Sequence, residues 1–345
     1  MASQVKPLVS ILVPAYNAER WVAQSIRSAL EQTWSNTEIV VVDDGSSDGT
    51  YQIAEQFRGE RVIIIRQENQ GAAAARNRAF SLCKGDYVQW LDADDLLAPD
   101  KVSNQMAIIE EAHDKSILFS SGWGHFFSRP SKAQFRPSVL WNDLTPLEWI
   151  VRKMESGSHM QTATWLVSRE LTEAAGPWNT QLLGDDDGEY FCRLMTKSCG
   201  VRFVSESKVY YRAVGPNRLS YVGNSDRKME AGLLSIKLQI GYLLSIENSE
   251  MTRAACVKYL QNYLIDFHPQ RPDIVHEMCQ LAYGLGGSLR PPRLSWKYAW
   301  IQKIFGLATA KRCQLSYNKI KSSLLQGWDT TMWLLESRRR PHLRT

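Results

Sequence analysis

Gln89-Trp90-Leu91-Asp92-Ala93-Asp94-Asp95 is the stretch that decides the fold. The apolar run over residues 86–91 delivers carboxylates to its C-terminal end, which is where open α/β sheets bind ligands. Hard oxygen ligands one residue apart suit a divalent cation that is also bound to phosphate, as Mg²⁺ or Mn²⁺ commonly is. An Asp-x-Asp on its own is more often a solvated turn, so the segments upstream settle its meaning.

Working back from it, residues 8–14, 38–42 and 61–65 are short β-branched and leucine-rich runs, the mark of strands buried on both faces. Between them lie helical patterns over 21–30 and 72–82. This alternation predicts a mostly parallel central sheet with helices on both faces. Downstream, the pattern predicts a helix over 101–112, a strand over 116–121, a mobile loop over 126–142, a strand over 160–168 and a helix over 187–198. Beyond Tyr221 the apolar spacing is helical throughout, interrupted by the Gly/Pro-rich run 284–292.

Three loops close the first three strands. Pro14-Ala15-Tyr16-Asn17-Ala18-Glu19 offers a ring that stacks on a base or packs under the next helix, with Asn17 and Glu19 as caps for that helix. Asp43-Asp44-Gly45-Ser46-Ser47-Asp48-Gly49-Thr50 sets two acids at the end of a buried strand. There a carboxylate accepts from a base N–H or a ribose hydroxyl, or else satisfies its own turn. Asn69-Gln70-Gly71-Ala72-Ala73-Ala74-Ala75-Arg76-Asn77 opens a helix whose small residues allow close backbone approach, with Arg76 as a donor to a base or phosphate.

In this order and spacing, PAYNAE, DDGSSDGT, NQGAAAARN and LDADD resemble the nucleotide-sugar-binding half of a family 2 glycosyltransferase, over about residues 7–215. The resemblance implies the GT-A nucleotide-diphospho-sugar transferase fold. It also implies that Pro14, Tyr16, Asn17 and Glu19 line the nucleotide pocket. Asp43 or Asp44 would hold the base, Gly71 and Arg76 would lie near base and phosphates, and Asp92 and Ala93 would reach ribose or sugar. Asp94 would ligate Mn²⁺ or Mg²⁺ on the diphosphate. The family expects a pair of acids ahead of a helix that ends in Arg-Leu. Counting back from Arg193-Leu194 puts that pair on Asp186-Asp187, with Asp187 the base, while the additional Asp185 leaves the register open by one.

No Gln-x-x-Arg-Trp follows, the signature of processive members. Tyr210-Tyr211-Arg212 and the segment from Gly215 to Ser220 resemble the shorter motif of non-processive ones, with Arg212 or Arg218 either on the diphosphate or structural. One base and direct displacement imply inversion at the anomeric carbon. The implied function is metal-dependent transfer of one sugar, from a UDP-sugar first of all, to a saccharide or lipid-linked acceptor in cell-surface polysaccharide or lipopolysaccharide assembly. The alternative is a catalytically silent sugar-nucleotide-binding or assembly subunit. Trp123, Trp165 and Trp178 are candidates for a wall that stacks on the acceptor sugar, with His125 and His159 as structural or acceptor-lining neighbours.

Composition sets the remaining bounds. Six scattered cysteines without a C-x-x-C pair argue against a disulfide framework or zinc site and fit a reducing compartment. Residues 1–6 lack the apolar core of a signal peptide, and no run of 18 apolar residues occurs, so a cytoplasmic protein is expected. The expected organisation is a catalytic domain over 1–222 (nucleotide half 7–100, acceptor half 101–222), a helical extension over 223–289 and a basic helical tail over 290–345. Of the net +5, the tail alone contributes twelve Lys/Arg against two acids, and it carries Trp296, Trp300, Trp328 and Trp333. Such a segment suits a peripheral foot on the anionic inner face of the plasma membrane, each basic residue adding about 1 kcal/mol near the surface. A self-packing appendage or a dimer contact is the other use. Nucleic acid is not an expected partner, because the helices carry no recognition motif and the acidic pocket repels phosphate.

Overall fold

The computed structural model describes residues 6–213, 225–292 and 295–339. β1 (Val9–Ala15) pairs in parallel with β2 (Thr37–Asp43) along its whole length, and β2 in turn with β3 (Val62–Arg66). On its other side β1 pairs in parallel with β4 (Tyr87–Trp90). Helices α1 (Val22–Leu30), α2 (Thr50–Glu55) and α3 (Ala72–Leu82) make the crossovers. The order β3-β2-β1-β4 therefore reverses direction between β1 and β4. Such a switch point opens a crevice at the carboxyl ends of the strands, and the segment 91–95 emerges there.

The second half departs from simple winding. After β5 (Leu96–Leu97) and α4 (Lys101–Ala112) come β6 (Ile117–Phe126), β7 (Gln134–Phe135), α5 (Pro146–Ser156), β8 (Leu166–Ser168), α6 (Arg169–Ala175), α7 (Asp186–Met195) and β9 (Gly200–Arg212). The nine-stranded sheet runs β3-β2-β1-β4-β8-β6-β9-β5, with β7 on β6. β8 is antiparallel to both neighbours and β5 is antiparallel to β9, so the sheet is mixed beyond its parallel first half.

Two local expectations fail here. Residues 162–164 form a 3₁₀ turn rather than the start of a strand, because the Gln161 side chain accepts from Ala163 N and closes the turn. The segment after β6 is pinned rather than mobile: Ser128 N, Arg129 N and the Arg129 guanidinium all donate to Asp329, far along the chain.

Four helices follow: α8 (Asp226–Ile246), α9 (Glu250–Phe267), α10 (Pro272–Gly284) and α11 (Ala299–Arg339), the last broken at Gly306, where φ is 81°. By length and composition α8 could cross a bilayer, yet half of its most apolar stretch is buried in the protein. Leu233, Ile236, Ile240 and Leu243 join Trp149, Trp165 and Tyr190 in one continuous core, and α9 adds Tyr259, Leu260 and Phe267. These helices complete the core of the acceptor half. A chain ended at residue 222 is expected to lose cooperative thermal unfolding, and Leu243→Ala to destabilise the full chain by about 2–5 kcal/mol in denaturant titrations. Retention of a sharp transition by the truncated chain would show that the catalytic half folds alone.

Candidate active site

The loops after β1 and β2 are knitted to each other. Asn17, with φ at 48°, accepts from Ser47 N at 2.9 Å, and its own N–H donates to the Ser46 hydroxyl. Glu19 accepts from Gly49 N at 2.9 Å, so it closes the start of α2. Neither residue caps α1, whose N-cap, Trp21, has no side-chain cap bond. Pro14 is held in the sheet opposite Val42. Tyr16 stands 48% exposed over these loops, free to meet a planar ligand.

The two acids at the end of β2 differ in what they hold. Asp44 accepts from Gln70 N and Gly71 N at 3.0 and 2.8 Å and from the Gln67 amide at 2.7 Å, so its carboxylate fixes the third loop. Gly71 sits at φ 91°, a conformation that favours glycine, as it gives its N–H to Asp44 at the start of α3. Asp43 is fully buried. Its Oδ2 meets Ser46 N and Arg66, whereas Oδ1 has no partner. A buried carboxylate oxygen without a donor is costly, and it marks the place for a ligand N–H.

Arg76 is the hub. One guanidinium nitrogen donates to Asp92 at 2.8 Å, another to Asp186 at 2.6 Å, and the plane lies 4.4 Å from the Trp178 ring centroid. Burial alone would lower its pKa, but Asp186 and Asp92 raise it overall, so it is a permanent cation between the two halves. The side-chain amide of Asn77, one residue on, accepts from Trp178 N at 2.8 Å and donates to Trp178 O at 2.9 Å, and fixes that ring's segment.

The three consecutive acids are sorted by their partners. Asp185 adopts φ 55° and accepts from Ser235 and Gln239 of α8, both at 2.7 Å. Gly188 makes room for it, since a Cβ there would lie 2.1 Å from Asp185 Oδ1. Gln239 in turn accepts from the buried Lys153 ammonium at 2.5 Å. Asp186 belongs to Arg76. Asp187 is left with Gly188 N at 2.9 Å and a distant Thr162 hydroxyl at 3.4 Å. Burial pushes its carboxyl up to about 7, and Asp186 and Asp185 push the same way against Arg76. Asp186 is also raised, first by burial, although Arg76 opposes the shift. Nothing in the sequence marks Ser235, Gln239 or Lys153; only the fold brings them under the acidic loop.

On the other side of the crevice, Ala93 is buried and Asp94 is half-buried. Asp95, fully buried, accepts from Arg212 N at 2.8 Å and from the Gln161 amide. The Arg212 guanidinium donates to Asp94 O, Phe127 O and Gln24 Oε1 and lies between Trp21 and Phe126. Of the two roles open to Arg212, the structure gives it the structural one. Arg218 lies outside the described residues. Among the described residues no three of His, Cys, Asp or Glu converge on a point that could hold a metal. Asp94 lies in the same loop, and its carboxylate is one that could hold a divalent cation. That cation would take its other oxygens from a diphosphate and water, the way Mg²⁺ is commonly held.

The expected aromatic wall shrinks to one indole. Trp165 is fully buried, stacked 4.9 Å from Phe191 and edge-on to Trp149. Trp178 stacks 4.0 Å from Tyr190 and carries Arg76 against it, so neither ring has a face to offer a sugar. Trp123 is half-buried, beside the exposed His125 and His159 rings and Tyr211, and its indole N–H is buried without an acceptor.

Residues 10–172 match the family model described as Glycosyl transferase family 2. The chain is 36% identical over 155 residues to the putative teichuronic acid biosynthesis glycosyltransferase TuaG of Bacillus subtilis, covering 44% of this chain and 55% of that one. It is 41% identical over 114 residues to the Escherichia coli UDP-Glc:alpha-D-GlcNAc-diphosphoundecaprenol beta-1,3-glucosyltransferase WfaP, covering 33% and 44%. The matches span about a third to a half of the length of such relatives. Among solved structures, S. aureus TarS 1–349 in complex with UDP-GlcNAc superposes with a TM-score of 0.64 at 19% identity, over 79% of this chain and 81% of that one. At that identity the likeness shows the fold, which is GT-A. The family match ends before the acidic triplet, so Asp187 stands out on geometry alone.

Two outcomes are expected from these charges. With the Asp187 pKa at about 7 in the folded chain against an ordinary 3.8, the contribution of this group to stability is full below about pH 4 and is lost as pH rises through 7. Asp187→Asn should therefore gain in melting temperature over the parent as pH goes from 4 to 8, and a constant difference across that range would refute the shift. Arg76→Met strands Asp92 and Asp186 and should cost about 3–5 kcal/mol, part of which Asp186→Asn restores in the double variant.

Proposed function

We propose that this chain, whose residues 10–172 belong to glycosyl transferase family 2, moves one sugar from a nucleotide diphosphate to an acceptor hydroxyl with inversion at the anomeric carbon. The observation that carries the proposal is the isolation of Asp187. Asp186 is paired with Arg76 and Asp185 is gripped by Ser235 and Gln239, whereas Asp187 keeps only Gly188 N and a distant Thr162 hydroxyl, and its pKa of about 7 suits a base at neutral pH.

In that reaction the acceptor O–H gives its proton to the Asp187 carboxylate. The oxygen forms a bond to the anomeric carbon as the carbon–oxygen bond to the diphosphate breaks, and the leaving oxygen takes the electron pair. With Asp187 as the base and the Asp92 and Asp186 carboxylates both held by Arg76, displacement is direct, so an α-linked donor yields a β-glycoside. Arg76 holds Asp186 and Asp92 on either side of the reacting centre. The unpartnered Asp43 Oδ1 takes a base N–H, and Tyr16 covers the base. Asp94 would hold a divalent cation with the diphosphate, which supplies neutralisation of the leaving group's charge when bound. Trp123, with its unpartnered N–H and neighbouring His125 and His159, faces the acceptor saccharide. UDP is the favoured nucleotide, since it appears in the names of both the E. coli relative and the S. aureus complex. A lipid-linked saccharide acceptor in polysaccharide assembly is favoured on the same footing.

Calorimetry with UDP, GDP, dTDP and CDP, with and without Mn²⁺, tests the donor site. One nucleotide should bind in a metal-dependent way, and Asp94→Ala should remove the dependence. Asp187→Asn should lower transfer about 10²–10⁴-fold at unchanged nucleotide affinity, and wild-type kcat/KM should rise through a limb near pH 7. Nucleotide binding without transfer to any hydroxyl, and no effect of Asp187→Asn on donor turnover, would favour a silent binding subunit.

A further inference from the structure

Helix α11 is inside out. A helix lying on a soluble protein ordinarily turns its apolar stripe inward. Here the inward contacts are polar. Asp329 and Glu336 both pair with Arg129 at 2.8 Å, Thr330 meets the Ser128 hydroxyl, and the Lys311 ammonium donates to the carbonyls of Ile265, Asp266 and His268 at the C-terminal end of α9. The opposite side presents Tyr317, Ile320, Leu324, Trp328 and Leu335, spaced three or four residues apart (Trp328 and Leu335 two such steps) and 49–70% exposed. Trp296, Trp300 and Ile304, four residues apart, are 60–80% exposed before the break at Gly306, whereas Trp333 is partly covered.

Charge is unevenly exposed as well. The helix's two acids, Asp329 and Glu336, are turned onto Arg129, while Lys303, Arg312, Lys319 and Lys321 are exposed. The occupant of this face must accept indole and aliphatic groups and supply negative charge alongside them.

We propose that α11 docks this protein on an anionic lipid surface, with the stripe from Tyr317 to Leu335 among the upper acyl chains and the exposed lysines and arginine at the phosphates. Two copies of the helix pairing by their stripes would bring Lys321, which lies seven residues from Trp328 and so on the same side, into the seam with neither acid of the helix left to face it, which argues against a second copy of this chain. The docking goes beyond sugar transfer and does not depend on it. It has a structural route to the crevice, however. Arg129 follows Phe127 by two residues, the Phe127 carbonyl accepts from Arg212, and Arg212 also donates to Asp94 O. The surface-bound helix and the acidic loop are thus fixed to one another.

The test is flotation of the full chain with vesicles of phosphatidylglycerol in phosphatidylcholine, and with phosphatidylcholine alone. Binding is expected on the anionic vesicles, falling with added salt, and the L324E/W328E double variant should weaken it about tenfold or more. K319E/K321E should weaken binding to anionic vesicles by a comparable factor. Circular dichroism and nucleotide binding, which these exposed positions do not touch, confirm that the variants are folded. A wild-type chain that stays unbound with both vesicle types overturns the proposal. So does a dimer, seen by sedimentation, that L324E/W328E converts to monomer without any vesicle binding. Equal binding to neutral vesicles overturns the anionic part.

Discussion

One buried guanidinium holds the two halves of the crevice together. Without Arg76, Asp92 just after β4 and Asp186 at the start of α7 would be two carboxylates facing each other with no cation between them. With it, Asp92 and Asp186 share one fixed positive charge, and the loop that carries Asp187 is drawn to the mouth of the parallel sheet. The cation also pulls the neighbouring Asp187 down against burial and two adjacent acids, which leaves it near neutrality rather than far above. A single cation thus sets the spacing of the loops and the protonation of the group between them.

The support behind that arrangement comes from far along the chain. Ser235 and Gln239 on α8 hold Asp185 in its left-handed conformation, and Lys153 on α5 stands behind Gln239. Burial works against the Lys153 charge, yet Cys192 and Asp185 raise its pKa overall, so the acidic loop rests on a second cation. The helical extension therefore belongs to the site as well as to the core.

This explains what the sequence shows and what it hides. The loops after β1, β2 and β4 are legible because their glycines, acids and asparagine act on neighbours within a short local frame, each at the end of an obvious apolar strand. Which of Asp43 and Asp44 keeps a free oxygen is not legible, since the answer depends on the N–H groups of Gln70 and Gly71 in another loop. Trp165 and Trp178 have a composition suited to sugar stacking, yet their faces are taken by Phe191, Tyr190 and Arg76, contacts that span different elements. Ser235 and Gln239 sit in an ordinary helical pattern, and only the packing of α8 on α7 gives them a role. Local chemistry can be read from one strand, whereas occupancy needs the whole fold.

The contact between Gly188 and Asp185 has a consequence for how this chain can vary. A methyl group at 188 would overlap the carboxylate at 185, and that carboxylate is what α8 grips. The two positions are therefore bound to drift as a pair. In a library randomised at both, side chains at 188 should survive only beside a shortened residue at 185, and those survivors should in turn tolerate changes at Ser235 and Gln239 that the parent does not.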